Sequence, residues 1–265
     1  MDKNSALTNH LKWRTPLYDP AFPFILFFSQ KGGCTTLIKW FFYQLNLLES
    51  SKKVENNIHL YRVNHFYRQP GYVENIETAV MKKSKPVFKL VRNPYARAVS
   101  SYLHLSRMNL VYPSSGPLKI EWKKAKNMYP YHDGLTFKQF LYYVKQSGAQ
   151  VPHVDGHIAG QYVEGEELFM TRFVKLEQLK NQIAAWETQY QLKHSPFAEL
   201  AKSPHHNQEM MNVTGEFADQ VITRYHFVSN QLPSLHSFYD TVTKELVQEL
   251  FSKEFSLYGY SRQLP

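Results

Sequence analysis

The chain has 265 residues, of which 43% are hydrophobic, and 31 lysines and arginines against 22 acidic residues give a formal net charge of +9. No stretch approaches the roughly 18 consecutive apolar residues of a membrane span, residues 1–20 lack the apolar segment of a secretory signal, and the single cysteine excludes an intramolecular disulfide. The positive charge predicts anionic partners. No basic run or zinc-finger spacing indicates that the partner is nucleic acid. We therefore predict a soluble globular protein without nucleic-acid binding or an integral membrane segment.

Predicted strands and helices alternate along the chain. After an irregular lead-in over 1–22, strands are predicted at 24–28, 58–63, 86–91 and 168–174. Helices are predicted at about 36–50, 72–83, 94–107, 136–146, 176–190, 216–225 and 244–255. Residues 109–134 form a long insertion with a basic helical piece, and insertions of this length are usually functional or mobile. The alternation predicts an α/β fold, a central parallel sheet flanked by helices, in a single domain over 1–265.

The stretch that joins the first predicted strand to the first predicted helix offers a place for an anion. It reads Lys31, Gly32, Gly33, Cys34, Thr35 and Thr36. A helix start presents unpaired N–H groups and a positive dipole end, glycines let the backbone approach closely, and the lysine and threonines add a charge and hydroxyl donors. The alternative is an ordinary connection with a packed cysteine. The lysine precedes the glycines, the reverse of the nucleoside-triphosphate P-loop, which disfavours an ATPase or GTPase.

A second polar segment follows the strand predicted at 86–91. Arg92 ends that strand, Pro94 suits the first turn of a helix, and Ser100 lies two turns into the helix. Arg92 and Ser100 are therefore predicted to converge on one phosphate, for which a guanidinium offers paired donors. For Arg97 two roles stay open, binding phosphate and pairing with an acid inside the fold.

Together the two segments resemble the cofactor signatures of sulfotransferases that use 3′-phosphoadenosine 5′-phosphosulfate (PAPS), in the carbohydrate sulfotransferase group (family 2-like). Residues 31–36 resemble the loop that holds the 5′-phosphosulfate, and residues 91–102 resemble the strand and helix that hold the 3′-phosphate. Similar segments follow in the same order at 136–140, 153–161, 173–177, 205–207 and 255–260. The first loop departs from the pattern because no proline precedes its lysine. The resemblance implies a P-loop-like sulfotransferase fold, PAPS as co-substrate, and a glycan or glycolipid acceptor.

Sulfuryl transfer, like phosphoryl transfer, depends mainly on positioning and charge stabilisation, so Lys31 is predicted to neutralise charge on the leaving oxygen. A phosphosulfate carries less charge than a triphosphate, so no metal is predicted. The acceptor hydroxyl needs a base, and His65 is predicted for that role by the resemblance and by its place after the strand at 58–63. Reserve candidates for the base are His104, His153, His157 and Glu74. A late polar turn either folds over the cofactor or is exposed, and contains Lys202, His205 and Asn207.

Two other functions stay as alternatives: a P-loop-like nucleotide-binding kinase, and a non-catalytic binder of anionic glycans with the same fold. Peripheral membrane contact is compatible with the basic charge. The predicted location is the cytoplasm, with the Golgi lumen as the alternative if the chain is part of an anchored protein. The sequence sets neither the acceptor's identity nor the oligomeric state.

Overall fold

A computed structural model describes residues 1–112, 116–130, 134–202 and 208–265. In chain order, the helices are α1 (Lys3–Trp13), α2 (Cys34–Gln44), α3 (Leu48–Val54), α4 (Ile58–Asn64), α5 (Tyr72–Met81), α6 (Pro94–Leu110), α7 (Pro117–Met128), α8 (Phe137–Ser147), α9 (Leu179–Gln189), α10 (Phe197–Ala201), α11 (Arg224–Val228), α12 (Thr241–Leu250) and α13 (Ser252–Tyr258). The strands are β1 (Ile25–Phe28), β2 (Val87–Val91), β3 (Arg172–Lys175), β4 (Met211–Val213) and β5 (Leu232–Pro233). Short 3-10 helices include Glu166–Leu168 and Leu176–Gln178.

The chain divides into two compact units. Unit 1 comprises residues 1–92 and 163–204, and unit 2 comprises residues 93–162 and 205–265. Unit 1 contains β1, β2 and β3, whereas unit 2 is mostly helical and contains the short β4 and β5, which pair in parallel. The single domain over 1–265 stays a prediction.

The described part of unit 1 is built on a parallel sheet with the strand order β1-β2-β3. Ile25 of β1 aligns with Val87 of β2, and on the other side of β2 Phe88 aligns with Arg172. Every residue of β1 and β2 is buried, as expected for a parallel sheet covered by helices. The predicted α/β fold with a central parallel sheet is confirmed, and the carboxyl ends of the strands lie at one edge.

Unit 1 encloses three ionisable side chains that are fully buried. Lys89 of β2 places its Nζ 2.5 Å from Oε2 of Glu166, and the N–H of Val163 donates to the same oxygen at 3.0 Å. His10 of α1 lies with Nε2 3.3 Å from that oxygen, without a well-aligned hydrogen bond to any described residue. Burial lowers the pKa of His10 to about 4. Burial alone raises the pKa of Glu166, but the charge of Lys89 and the contact with His10 outweigh it and lower this pKa.

The buried histidine predicts that the protein loses stability between about pH 6.5 and pH 4. In this window the unfolded chain takes up a proton on His10 and the folded chain does not, so the free energy of unfolding falls by about 3 kcal/mol. Above pH 6.5 the stability that comes from keeping His10 neutral is fully present. The charged groups that act on His10 are Glu166, Lys89 and Arg14. Urea unfolding at pH 7 and pH 4.5 checks this, with His10→Leu as the comparison. An equal change in both proteins would contradict the prediction.

Residues 58–63, predicted as a strand, form helix α4 instead. The side chain of Asn57 accepts a hydrogen bond from the N–H of His59 at 2.8 Å and so begins a helix. Ile58 and Tyr61, three positions apart, pack against the core of unit 1, whereas Leu60 is 49% exposed. Six residues are too few for periodicity to separate a strand from a short helix, and the asparagine cap decides between them.

Other boundaries also differ from the sequence prediction. The lead-in 1–22 is not irregular throughout, because Asp2 accepts from the N–H of Ser5 at 3.0 Å and caps α1. The helix predicted at 36–50 ends at Gln44, since Asn46 adopts a left-handed φ of 58° before α3 begins. No helix spans 216–225, where α11 is only Arg224–Val228. The basic helix predicted inside 109–134 is α7, while residues 113–115 and 131–133 lie outside the described residues.

Candidate functional site

The loop between β1 and α2 turns sharply before the helix begins. Lys31 has a φ of 63°, and Gly33, which precedes α2 as its N-cap, has a φ of 89°. The first hydrogen bond of α2 runs from the N–H of Leu37 to the carbonyl of Gly33, so the preceding N–H groups have no acceptor within the helix. Among the described residues, no side chain caps this end. Such a loop presents backbone donors and the positive end of the helix dipole to an anion.

Two features favour glycine at position 33. Its left-handed φ disfavours any residue with a Cβ, and a Cβ built there would lie 2.4 Å from Cδ1 of Leu176. Leu176 follows β3 directly, so this close approach holds the loop of residues 31–36 against the end of that strand. We call residues 31–36 the donor loop, after their backbone N–H donors. Gly33 therefore allows both the left-handed turn and the close packing of Leu176 against the loop.

We expect Gly33→Ala to destabilise the protein by about 2–4 kcal/mol, from a left-handed alanine and an overpacked contact with Leu176. Gly71→Ala is the matched control, because Gly71 is also a helix N-cap with a left-handed φ, of 69°. Its added Cβ would meet only Asn75 Nδ2, at 3.4 Å. The control should therefore cost about 1–2 kcal/mol from the backbone alone. Urea unfolding measures both, and equal losses would show that the Leu176 contact contributes nothing.

Arg92 follows β2 and reaches this loop. Its Nη1 donates a hydrogen bond to the backbone carbonyl of Lys31 at 3.1 Å. Because β1 and β2 are adjacent parallel strands, the residues that follow them share one edge of the sheet. Lys31 and Arg92, 61 positions apart in the chain, are therefore brought together within unit 1.

The structure also brings to the loop a histidine that the sequence reasoning did not select. Nε2 of His59 lies 2.9 Å from Oγ1 of Thr35, the second residue of α2. On the other side of the ring, Nη1 of Arg62 lies 3.4 Å from Nδ1 of His59. The i, i+3 spacing of His59 and Arg62 places them on one helix face, a signal visible only if this segment is interpreted as helical.

His65, the predicted base, does not follow a strand. It follows helix α4 as its C-cap, and its ring stacks on Tyr61. Its side chain is 46% exposed, and its Nε2 lies 3.6 Å from Oε1 of Glu55. The strand-end reason for choosing His65 is therefore wrong, and its role as the base stays a prediction.

Unit 2 contains Ser100 and Arg97. Ser100 is half-buried on α6. Arg97 is fully buried, and its Nη2 donates to the carbonyl of Gly156 at 3.4 Å, so both predicted roles of Arg97 stay open. The assignment of Ser100 to a phosphate stays a prediction.

Unit 2 also contains a histidine held by a carboxylate. Nδ1 of His157 lies 2.7 Å from Oδ1 of Asp155, and the rings of His157 and His104 are 5.0 Å apart. Burial alone raises the pKa of Asp155, but the hydrogen bond with His157 lowers it below its usual value. An aspartate that accepts from Nδ1–H leaves Nε2 of the histidine as an acceptor, the arrangement of an oriented base.

The remaining candidates are dispersed or lie outside the described residues. Glu74 on α5 and His153 in the loop after α8 are exposed. Lys202 is exposed too, and its backbone carbonyl accepts from Nζ of Lys39 at 2.6 Å. His205 and Asn207 lie outside the described residues. Cys34 is half-buried and packs against the core of unit 1.

Within residues 1–112, 116–130, 134–202 and 208–265, no group of three or more histidine, cysteine, aspartate or glutamate side chains could hold a metal ion. In the same ranges no helix has both the length and the apolar character to cross a membrane.

Comparison with known proteins places most of the chain within a protein family. A family model described as "Sulfotransferase family" matches residues 17–261, which include the donor loop, Arg92 and the whole of α6. No curated protein and no solved structure matches the chain significantly.

Proposed function

Because this chain belongs to the sulfotransferase family, we propose that it moves a sulfuryl group from PAPS to a hydroxyl of a carbohydrate or glycolipid acceptor. The donor and the acceptor class follow from the resemblance of residues 31–36 and 91–102 to the signatures of the carbohydrate group. The family membership itself supports sulfuryl transfer in general.

One observation carries the proposal. Arg92 and Lys31, one from each of the two resembling segments, meet through a 3.1 Å hydrogen bond at the end of β1 and β2. The same loop has unpaired helical N–H groups and the hydroxyls of Thr35 and Thr36. A phosphosulfate is an anion that only accepts hydrogen bonds, and these groups are donors and cations.

The proposed reaction is an in-line displacement at sulfur. The acceptor oxygen forms a bond to sulfur as the bond from sulfur to the bridging phosphate oxygen breaks, and the adenosine bisphosphate leaves. Lys31 stabilises the negative charge that builds on the bridging oxygen, and the backbone donors of residues 33–36 hold the phosphosulfate. The acceptor's proton passes to a base. By the resemblance, Arg92 and Ser100 are proposed as ligands of the 3′-phosphate.

The base is proposed to be a histidine, with two candidates. His65 comes from the resemblance. His157 is supported by its 2.7 Å contact with Asp155, since an ionised carboxylate orients the ring and stabilises the imidazolium that forms. Separate replacement of His65 and His157 by asparagine, followed by pH–rate profiles, distinguishes them, because only loss of the true base removes the fall in rate on the acidic side of neutral pH.

The experiment is transfer of labelled sulfate from PAPS to a panel of glycans and glycolipids by the purified protein. It is paired with thermal unfolding in the presence of 3′-phosphoadenosine 5′-phosphate (PAP), or of ATP with magnesium. The proposal expects sulfate transfer to at least one acceptor, and a rise in unfolding temperature with PAP but not with ATP and magnesium. Stabilisation by ATP with magnesium and not by PAP would favour a kinase. Binding of PAP and of anionic glycans with no transfer would favour a non-catalytic binder.

A further inference from the structure

Three polar side chains form a continuous line that ends at the donor loop. Arg62 contacts His59 through Nη1 and Nδ1 at 3.4 Å, and His59 contacts Thr35 through Nε2 and Oγ1 at 2.9 Å. We call this line the Arg62–His59–Thr35 relay. All three residues belong to unit 1, the first two on α4 and the last on α2.

The chemistry of the relay sets the direction of each hydrogen bond. A guanidinium has donors and no acceptor, so Nδ1 of His59 must be the acceptor facing Arg62. The ring proton is then on Nε2, which donates to Oγ1 of Thr35. With a lone pair of its oxygen used in this way, the Thr35 hydroxyl directs its own proton to a different acceptor.

Arg62 is held in place from the strand that leads into the loop. Its guanidinium carbon lies 5.2 Å from the ring centre of Phe28, the last residue of β1, and 5.3 Å from that of Tyr67. Tyr67 is itself fixed, because its hydroxyl donates to the carbonyl of Thr15 at 2.8 Å. The cation packed between two rings therefore gives His59 a fixed partner beside the loop.

We propose that His59 is a positioning residue for the sulfate donor, and that it holds the Thr35 hydroxyl as a hydrogen-bond donor to an oxygen of the donor's 5′-phosphate group, which PAP shares. This rests on the proposed function of the same loop. The anion has only acceptor oxygens, so a threonine that donated to the histidine would present lone pairs to it. The relay therefore turns the Thr35 hydroxyl proton toward the site of the anion before PAPS binds.

The test is calorimetric binding of PAP, together with the KM values for PAPS and for the acceptor. His59→Ala should raise the Kd of PAP and the KM of PAPS by about tenfold, the effect of one hydrogen bond to a charged group, and leave the acceptor KM unchanged. His59→Gln should restore binding to near the wild-type value, because its amide N–H can donate to Thr35. Leu60→Ala is the control, being the next residue on α4 and 49% exposed.

A double-mutant cycle separates positioning from general damage. Adding His59→Ala to Thr35→Val should weaken PAP binding little further, because the relay acts only through that hydroxyl. Unchanged PAP binding in His59→Ala, additive losses in the double variant, or failure of His59→Gln to restore binding would each overturn the inference. If His59→Ala does not fold, His59→Met replaces it, since it fills the space without a donor. If the wild-type protein itself does not bind PAP, the proposed function fails and the inference falls with it.

Discussion

Replacement of Lys31 by alanine is expected to lower kcat for sulfate transfer by about 10²–10³-fold, the loss typical for one group that stabilises developing charge. Lys31 is placed by the loop backbone, whose carbonyl at this position accepts from Arg92 at 3.1 Å. Alanine and lysine disfavour the left-handed φ of 63° equally, so the substitution removes the ammonium without changing the loop's preference. Rates with labelled PAPS measure kcat, and calorimetry with PAP measures binding.

Two companion variants show whether Lys31 acts on the reaction or on donor binding. Lys31→Arg keeps the charge and should retain part of the rate. Arg92→Ala should instead raise the Kd of PAP by about 10–100-fold, because it removes a charge-assisted contact that is made before the reaction starts. A Lys31→Ala enzyme within threefold of the wild-type kcat would remove Lys31 from the mechanism. Normal donor binding by Arg92→Ala would remove Arg92 from the donor site.

Replacement of Glu166 by glutamine is expected to destabilise the protein by about 3–5 kcal/mol, because it removes the negative charge that faces the buried ammonium of Lys89. Both side chains are fully buried, and Nζ of Lys89 lies 2.5 Å from Oε2 of Glu166. Lys89 sits on β2, the central strand of the sheet, where water cannot replace the lost charge. Urea unfolding at pH 7 measures the loss of stability.

The double variant tests whether pairing causes this effect. Lys89→Met combined with Glu166→Gln removes both charges. The amide oxygen introduced at position 166 can still accept from the N–H of Val163, which donates to Glu166 at 3.0 Å in the wild-type protein. It should therefore be more stable than Glu166→Gln alone. Additive losses would show that the two residues stabilise unit 1 separately and that their contact is incidental. Lys52→Met, which breaks an exposed pair with Glu49, should cost less than about 1 kcal/mol.

Local signals in the sequence predicted the elements that carry strong, redundant patterns. Three signals each indicate one structure: the mostly apolar runs at β1 and β2, the proline at the first turn of α6, and the threonine cap of α8. In α8 both halves of the capping box form, with Thr136 bonded to Gln139 at 3.1 Å and 3.0 Å. Elements with weak patterns were predicted wrongly, as at α1 and α4, because capping and tertiary packing decide them.

The candidate site shows the same division. The composition of residues 31–36 and 91–102 was sufficient to predict two anion-binding segments and a family, since a glycine turn before a helix and an arginine after a strand have chemical meaning in isolation. The reason for choosing His65 was wrong because it required a strand at 58–63. The sequence did not indicate His59, because its partner Thr35 lies 24 positions away and the two residues meet only where α4 packs beside α2.

The sequence by itself determined the α/β class, the parallel sheet and the family, because alternation of buried strands with amphipathic helices and two short polar segments are properties of neighbouring residues. Only the tertiary structure decided that Arg92 contacts the backbone of Lys31, that Leu176 packs over Gly33, and that Arg62 and His59 line up on Thr35. The physical reason is that these contacts join strands and helices far apart in the chain. Their distances depend on how the sheet is ordered and on which face each helix buries, which no local pattern contains.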